Sequence, residues 1–476
     1  MRLMSALFLV VLIPLHTPAL ESAKTNSFSP LHPPALESSR PLASEEQGVP
    51  RTDSFFPFLI AAGHDLDEAK ASFERGDYVG ALKILDETLT DERRRPDYEM
   101  RAVIEAHLGR AEDALADYDH AVKLTNAQRP ETLRRIAVGV LSSLLSHDQE
   151  RVRGAAVTAL AELGPRGIEP ALNKALKDPS PRVRSLAIQT TGRLGLAARH
   201  PAVRAAVEDP DGSVRLAALA TLGLSKSVAV VPAVRKGLRD QDQLVQLVAR
   251  EALIHLNQSE PLQPLLSATR DESPAVRGAA LGILGRLKAP SALTALIMGL
   301  HDPDPSVRSF AAGALGDMGS KAAIPELLEA LSDDDPYVRN FAAGSLSRLQ
   351  AREAVPLLWN AVKDPDSLVR LAAAEALVRL GEGPAALIFR ELAKDPQYGV
   401  RSAVLDTMAR VTPARAPAVA IESLDDPAPR VRVAAVQVLG KTGAKTAIPY
   451  LRRALLDRDS TVRAFAAGHL GAMAME

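Results

Sequence analysis

Two rows of ionisable side chains run through this 476-residue chain. Aspartate stands at Asp178, Asp209, Asp240, Asp271, Asp302, Asp333, Asp364, Asp395, Asp426 and Asp457, with His147 where an eleventh would be. Arginine stands six positions after each, at Arg153, Arg184, Arg215, Arg277, Arg308, Arg339, Arg370, Arg401, Arg432 and Arg463, and only Gln246 breaks the row. So many carboxylates and guanidinium groups could bind charged ligands or move protons. A catalytic site, however, needs one unique constellation, and this pairing returns at every step. The rows are therefore read as structural.

Other chemistries find little material. The chain has no cysteine, which removes disulfides, thiolate zinc sites and thiol nucleophiles. None of its ten histidines is followed by glutamate, and His64-Asp65, His147-Asp148 and His301-Asp302 lie far apart in the chain. No serine sits in a Gly-x-Ser-x-Gly elbow, and no glycine-rich phosphate loop is present. Gly313-Ala-Leu-Gly316 and Gly468-His-Leu-Gly471 read as helix positions at which small residues permit close packing. No catalytic residue, metal or cofactor is expected. A formal charge of −1 gives no electrostatic case for nucleic acid. Hydrophobic residues make up 46% of the chain but aromatics only 4%, which points to stacked small side chains rather than one large core.

The elements that would carry these rows repeat with a fixed period. Valine recurs every 31 residues from Val152 to Val462, and alanine follows four positions later in ten of eleven copies, Val404 being the exception. An unbroken phase requires each unit to meet its neighbour in the same way. Within a unit, Pro170 fits the first turn of one helix, and Ser180-Pro181 fits the cap and first position of a second. Ser273-Pro274, Asp304-Pro305 and Asp335-Pro336 repeat that start. Positions 0, 4, 8 and 11 from the valine share one apolar face, for example Val276, Ala280, Leu284 and Leu287. Each unit is an antiparallel helix pair. Phe310, Phe341 and Phe465 are expected to fill gaps between units, and Trp359 to fill core.

The text Asp-Pro-x-x-x-Val-Arg-x-x-Ala-x-x-x-Leu resembles HEAT repeats over residues 131–476, in eleven units, and more narrowly the short bacterial subtype first described in phycobilin lyases. The resemblance implies an all-α fold, a right-handed α-α superhelix, with second helices lining its inner curve. It also implies that each aspartate and arginine tie one inter-helix turn to the next as a ladder. Deoxyhypusine hydroxylases resemble this architecture and hold di-iron through His-Glu pairs, which this chain lacks.

Before the repeats, residues 55–130 resemble a pair of tetratricopeptide repeats. Ala69, Gly76, Tyr78 and Ala81 return about 33 residues later as Ala102, Gly109, Ala111, Ala114 and Tyr118, while Arg93 and Asn126 stand where that family has its closing proline. Two such hairpins are too few to stand alone and are expected to lean on the first of the 31-residue units. Residues 1–19 read as an export signal: Arg2, an apolar run from Leu3 to Leu15 too short to remain as a bilayer span, and cleavage after Ala19. Residues 20–54, rich in proline and serine and repeating Pro-Ala-Leu-Glu-Ser, read as a tether. The expected location is periplasmic or extracellular.

Eleven units at about 9–10 Å each would give a concave surface roughly 100 Å long, suited to a protein or extended peptide. The tenth position after the valine carries Arg193, His255, Arg286, Arg348, Arg379, Arg410 and Lys441, interrupted by Asp317. This stripe is either a solvated rim or a site for an acidic partner segment, with Arg193, Arg286, Arg348, Arg379 and Arg410 as the candidate contacts. Positions two, six and nine are expected to face away from the apolar stripe with it. The chain ends on an uncapped helix, so its end is expected to be covered by a partner or another copy, or to fray. The expected function is a non-enzymatic binding scaffold. The alternative is a lyase or chaperone for a chromophore-bearing protein.

Overall fold

The structure, a computed structural model, describes residues 56–89, 95–125 and 129–473. The export signal and tether expected over 1–54 lie outside the described residues. All regular elements among the described residues are helices.

Four helices come first: α1 (Phe56–Glu74), α2 (Tyr78–Thr88), α3 (Arg95–His107) and α4 (Ala111–Thr125). They pair as α1 with α2 and α3 with α4. The first reversal turns on Gly76, at a left-handed φ of 83°, after which Asp77 caps α2 by accepting from the Gly80 amide at 2.9 Å. The second hairpin does lean on the repeats, because α3 packs against the first helix of unit 1, Pro130–Leu144.

The eleven units run from unit 1, whose second helix is Glu150–Leu160, to unit 11, built from Ile448–Leu455 and Ser460–Met473. Their helices form where the sequence supplies the start and stop signals. Proline occupies the first turn of many helices, and Asp304 and Asp335 cap second helices by accepting from Ser306 and Tyr337 amides. Twelve residues after the valine the chain turns left-handed in nine of the first ten units. Glycine serves there at 164, 195, 319, 381 and 443, and Lys226, Asn257, Lys288 and Gln350 in the other four. The repeated valines are buried in every unit, as is the residue four positions on.

Consecutive second helices pack directly on one another through the whole array, whereas consecutive first helices from unit 2 onward are spread apart. The second helices therefore line the inside. Small residues set this curvature: an added Cβ at Gly223 would come within 2.7 Å of Ala252 Cβ, and at Gly285 within 2.7 Å of Ala314 Cβ. Close approach inside and wide spacing outside bend each joint the same way.

The bend returns the chain to its start. The last helix, Ser460–Met473, packs on both helices of unit 1. Arg151 donates to Thr461 Oγ1 at 2.7 Å and to Asp459 Oδ2 at 3.0 Å. One hydrophobic core passes from units 9–11 through this joint into α3, α4 and units 1–5, while units 6–8 share a second core. The uncapped C-terminal helix expected to meet a partner, meet another copy or fray is instead covered by the chain's own first unit. The sequence carries the period but not the rotation per unit, and about 33° repeated eleven times closes a circle. The same correction applies to the expected elongated surface, which is bent into the inner circumference of a ring.

Closure is not a repeat of the other joints. In regular joints the ninth residue after the valine meets the seventh of the next unit, as in Gly192 with Thr221, Gly316 with Ser345 and Gly440 with His469. At the closing joint the sixth residue, Gly468, meets Ala159, and Gly471 meets Leu163 and Ala137. A slip of three residues is about 4.5 Å along a helix, so the ring closes like a lock washer.

Candidate functional site

The polar rows occupy two different places. The aspartate and arginine of each unit lie at the inter-helix turns. In a typical rung Arg308 Nε and Nη2 donate to Asp333 Oδ2 and Oδ1 of the next unit at 2.9 and 3.0 Å. Its Nη1 donates to the carbonyl of Asp302 in its own unit at 3.0 Å. Asp333 Oδ1 also accepts from the Asp335 amide at 2.9 Å. One guanidinium thus clamps two turns in the planar, bidentate geometry that lysine lacks. The same fork joins Arg153 to Asp178, Arg184 to Asp209, Arg215 to Asp240, Arg277 to Asp302, Arg339 to Asp364, Arg401 to Asp426 and Arg432 to Asp457. Burial pushes the Asp333 and Asp364 carboxyls up, but the arginine and amide hydrogen bonds outweigh it and leave both below the usual range. These charges satisfy one another and offer nothing to a ligand.

Three joints lack the fork. At units 4 and 5, Gln246 reaches only the Asp240 carbonyl, at 2.8 Å, and Asp271 accepts instead from Gln243. At units 8 and 9, Arg370 stands 3.5 Å from Asp395, and Ser367 Oγ bridges the two. At the closing joint Arg463 turns to Ser460 of its own unit at 2.7 Å, because His147 holds the place of the missing aspartate.

The second place is the inner wall. Arg193, Arg286, Arg348, Arg379 and Arg410 all lie there, and each meets an acid. Arg193 pairs with Glu162 at 2.8 Å. Arg286 forks onto Glu251 at 2.8 and 2.9 Å. Arg348 stands 3.5 Å from Asp317. Arg379 and Arg410 share Glu375, both at 3.0 Å. Burial pushes Glu251 up, but His255 and Arg286 beside it bring it net below its ordinary value. Burial also lifts the Asp406 carboxyl, against the pull of Lys441 and Arg410. Counting Lys441 and Asp406, the wall carries six cations against Glu162, Glu251, Asp317, Glu375 and Asp406. It is a mixed-charge surface close to neutral rather than a basic stripe.

The acidic half was legible in part. The sixth and tenth positions lie one helical turn apart on the same face, so Glu375 must face Arg379. Glu162 entered only through the contact between units. Positions two and nine do not face the opening as expected: Gly154 sits against Leu186 of the next unit, and Gly192 against Thr221. Phe310 lies over Gly278 and Phe341 over Gly313, filling gaps between units. Trp359 is half-buried against the core of units 6–8.

Eleven second helices about 8–10 Å apart put opposite axes about 28–35 Å apart. Subtracting one helix of about 10–12 Å leaves a bore of roughly 17–24 Å, wide enough for an extended chain or a single helix. Among the described residues no three His, Asp or Glu side chains converge as a metal site would require. No helix among them is long and apolar enough to cross a membrane.

The HEAT-repeat family model matches residues 137–205, 262–340, 324–409 and 417–476, more than half of the chain, and does not reach α1–α4. No curated protein sequence matches the chain significantly. Among solved structures it is similar to the complex of CpcE and CpcF of phycocyanin lyase from Nostoc sp., at 23% identity, covering 44% of this chain and 94% of that one, with a TM-score of 0.33. It is similar to human deoxyhypusine hydroxylase in complex with glycerol, at 22% identity over 53% of this chain and 98% of that one, with a TM-score of 0.28. It is also similar to Kap121p bound to Nup53p, at 15% identity over 84% and 55% of the two chains, with a TM-score of 0.30. Scores this low carry no argument about shape, ligand or reaction. The repeat signature, the paired helices and the family match agree: this chain belongs to the HEAT-repeat family.

Proposed function

We propose that this protein is a non-enzymatic scaffold that holds a polypeptide against the inner wall of its ring. The observation that carries the reading is the wall itself. Its arginines and acids alternate at near-zero net charge over the whole circumference, which suits the mixed charges of a polypeptide and gives no counterion-release gain for a nucleic acid. Glycine at 282, 313 and 344 leaves room between the charged pairs for a backbone to approach. At Gly344 an added Cβ would meet only Arg348 Nη1, at 3.7 Å. With residues 1–19 as an export signal, the ring would work in the periplasm or outside the cell.

A photo-reactive phenylalanine analogue placed at Gly344 on the wall, and separately at the outward Val228, tests this reading in cells. Polypeptide adducts from position 344 and none from 228 are expected. Adducts only from 228, or a pigment or nucleic acid attached at 344, would contradict it.

A further inference from the structure

The closing joint differs from the other ten in three ways at once. It lacks the arginine–aspartate fork, since Arg463 folds back on Ser460 and His147 replaces the aspartate. Its helices meet three residues out of the regular register, at Gly468 and Ala159. Its polar contacts lie toward solvent: Arg151 is 57% exposed where it meets Asp459, and the pair Arg452–Asp119 is 30% and 42% exposed. That last pair ties α4 to unit 11, so the hairpin α3/α4, seated on unit 1, straddles the joint like a clasp. Exposed ion pairs are weak and salt-screened, whereas the forked rungs elsewhere are sheltered. The other two joints without forks, at Gln246 and Arg370, divide the remaining ring into stretches of units 1–4, 5–8 and 9–11, each tied internally by unbroken rungs.

We infer that the joint between units 11 and 1 is a gate: the ring opens there, its three rigid arcs swinging about the joints at Gln246 and Arg370, and a polypeptide segment enters the bore sideways. The occupant is then an internal segment of its chain, with no need of a free end to thread. This rests on the scaffold reading for the occupant's identity, but the opening itself is measurable without any partner.

The absence of cysteine makes the test direct, because single thiols can be placed at equivalent buried positions of different joints. Ala159→Cys reports the closing joint, and Ala314→Cys and Ala252→Cys report forked joints; all three sites are at most 2% exposed. Val462→Cys, buried within unit 11, reports unravelling of the last unit itself. Labelling by a polyethylene-glycol maleimide is followed over time in the intact protein. The thiol at 159 should react at least about tenfold faster than those at 314, 252 and 462, and faster still in high salt. Adding Gln246→Arg to the Ala159→Cys protein should slow that reaction by stiffening one hinge. Equal rates at 159 and 314 or 252 would overturn the gate. Equal rates at 159 and 462 would replace it with simple fraying. An unchanged rate with Gln246→Arg would remove the hinge at that joint. Should one control variant not fold, the other supplies the reference. The scaffold reading fails separately, through the cross-linking at Gly344.

Discussion

Arg151 donates to Thr461 Oγ1 at 2.7 Å although 310 residues separate them in sequence. That contact turns a repeat array, whose ends ordinarily need polar caps, into a structure with no free end. It also changes what the repeated charges can do. The turn ladder stiffens the ring, and the inner-wall pairs present a surface of fixed, alternating charge.

The ladder predicts opposite outcomes for two substitutions. Arg308→Lys loses the planar fork onto Asp333 and leaves a sheltered carboxylate poorly paired, at a cost of about 2 kcal/mol. Gln246→Arg supplies the missing fork opposite Asp271 and should stabilise by about 1 kcal/mol. Thermal and urea unfolding check both. A Gln246→Arg protein that melts earlier than wild type would show that this joint is built differently from the rest.

Glu105 in α3 gives a pH signature. Burial first, and then the neighbouring Asp117 charge, push its carboxyl up to about 8, while Arg101 pulls the other way. The folded state therefore holds a proton that the unfolded state releases above its ordinary 4.5. Stability from this group falls as pH rises from 4.5 towards about 8 and levels off beyond. Glu105→Gln should flatten that slope and stabilise the α3/α4 hairpin at pH 8 and above. Melting temperatures across the range read this directly.

His469 predicts the reverse slope at the closing joint. Its ring is buried beneath Gly440, 3.9 Å from Glu162 of unit 1, with Lys441 of unit 10 and Arg193 of unit 2 nearby. Burial lowers its pKa, the Glu162 charge raises it, and the two cations lower it further, for a net value below the ordinary 6.5. Below 6.5 the opened joint therefore binds more protons than the closed one, so closure weakens as pH falls from there towards the lowered value. Hydrogen exchange of residues 460–473, corrected for intrinsic rates, should accelerate at pH 5.5 relative to 7.5. His469→Asn should remove the difference.

Much of this fold could be read from the chain. The period of 31, the proline and aspartate helix starts and the buried valine–alanine face are local signals, and each specifies its own helix pair. What could not be read is cumulative or non-local. The rotation at each joint depends on how closely Gly223 approaches Ala252, a fraction of an ångström that no residue type encodes, yet eleven such joints decide between an open superhelix and a ring. The same gap hid the neutral inner wall. Arg193 reads as a free cation until Glu162 of the unit before it is placed 2.8 Å away.

Closure itself is tested most directly by a distance between spin labels at Asp148→Cys and Arg458→Cys, which hold the same position in the first and last units, against a neighbouring-unit pair at Gln241→Cys and Glu272→Cys. Pulsed electron resonance on the two proteins should give a narrow distribution for the first pair centred close to that of the second. A 148–458 separation several times the control distance would show an open array and contradict the ring.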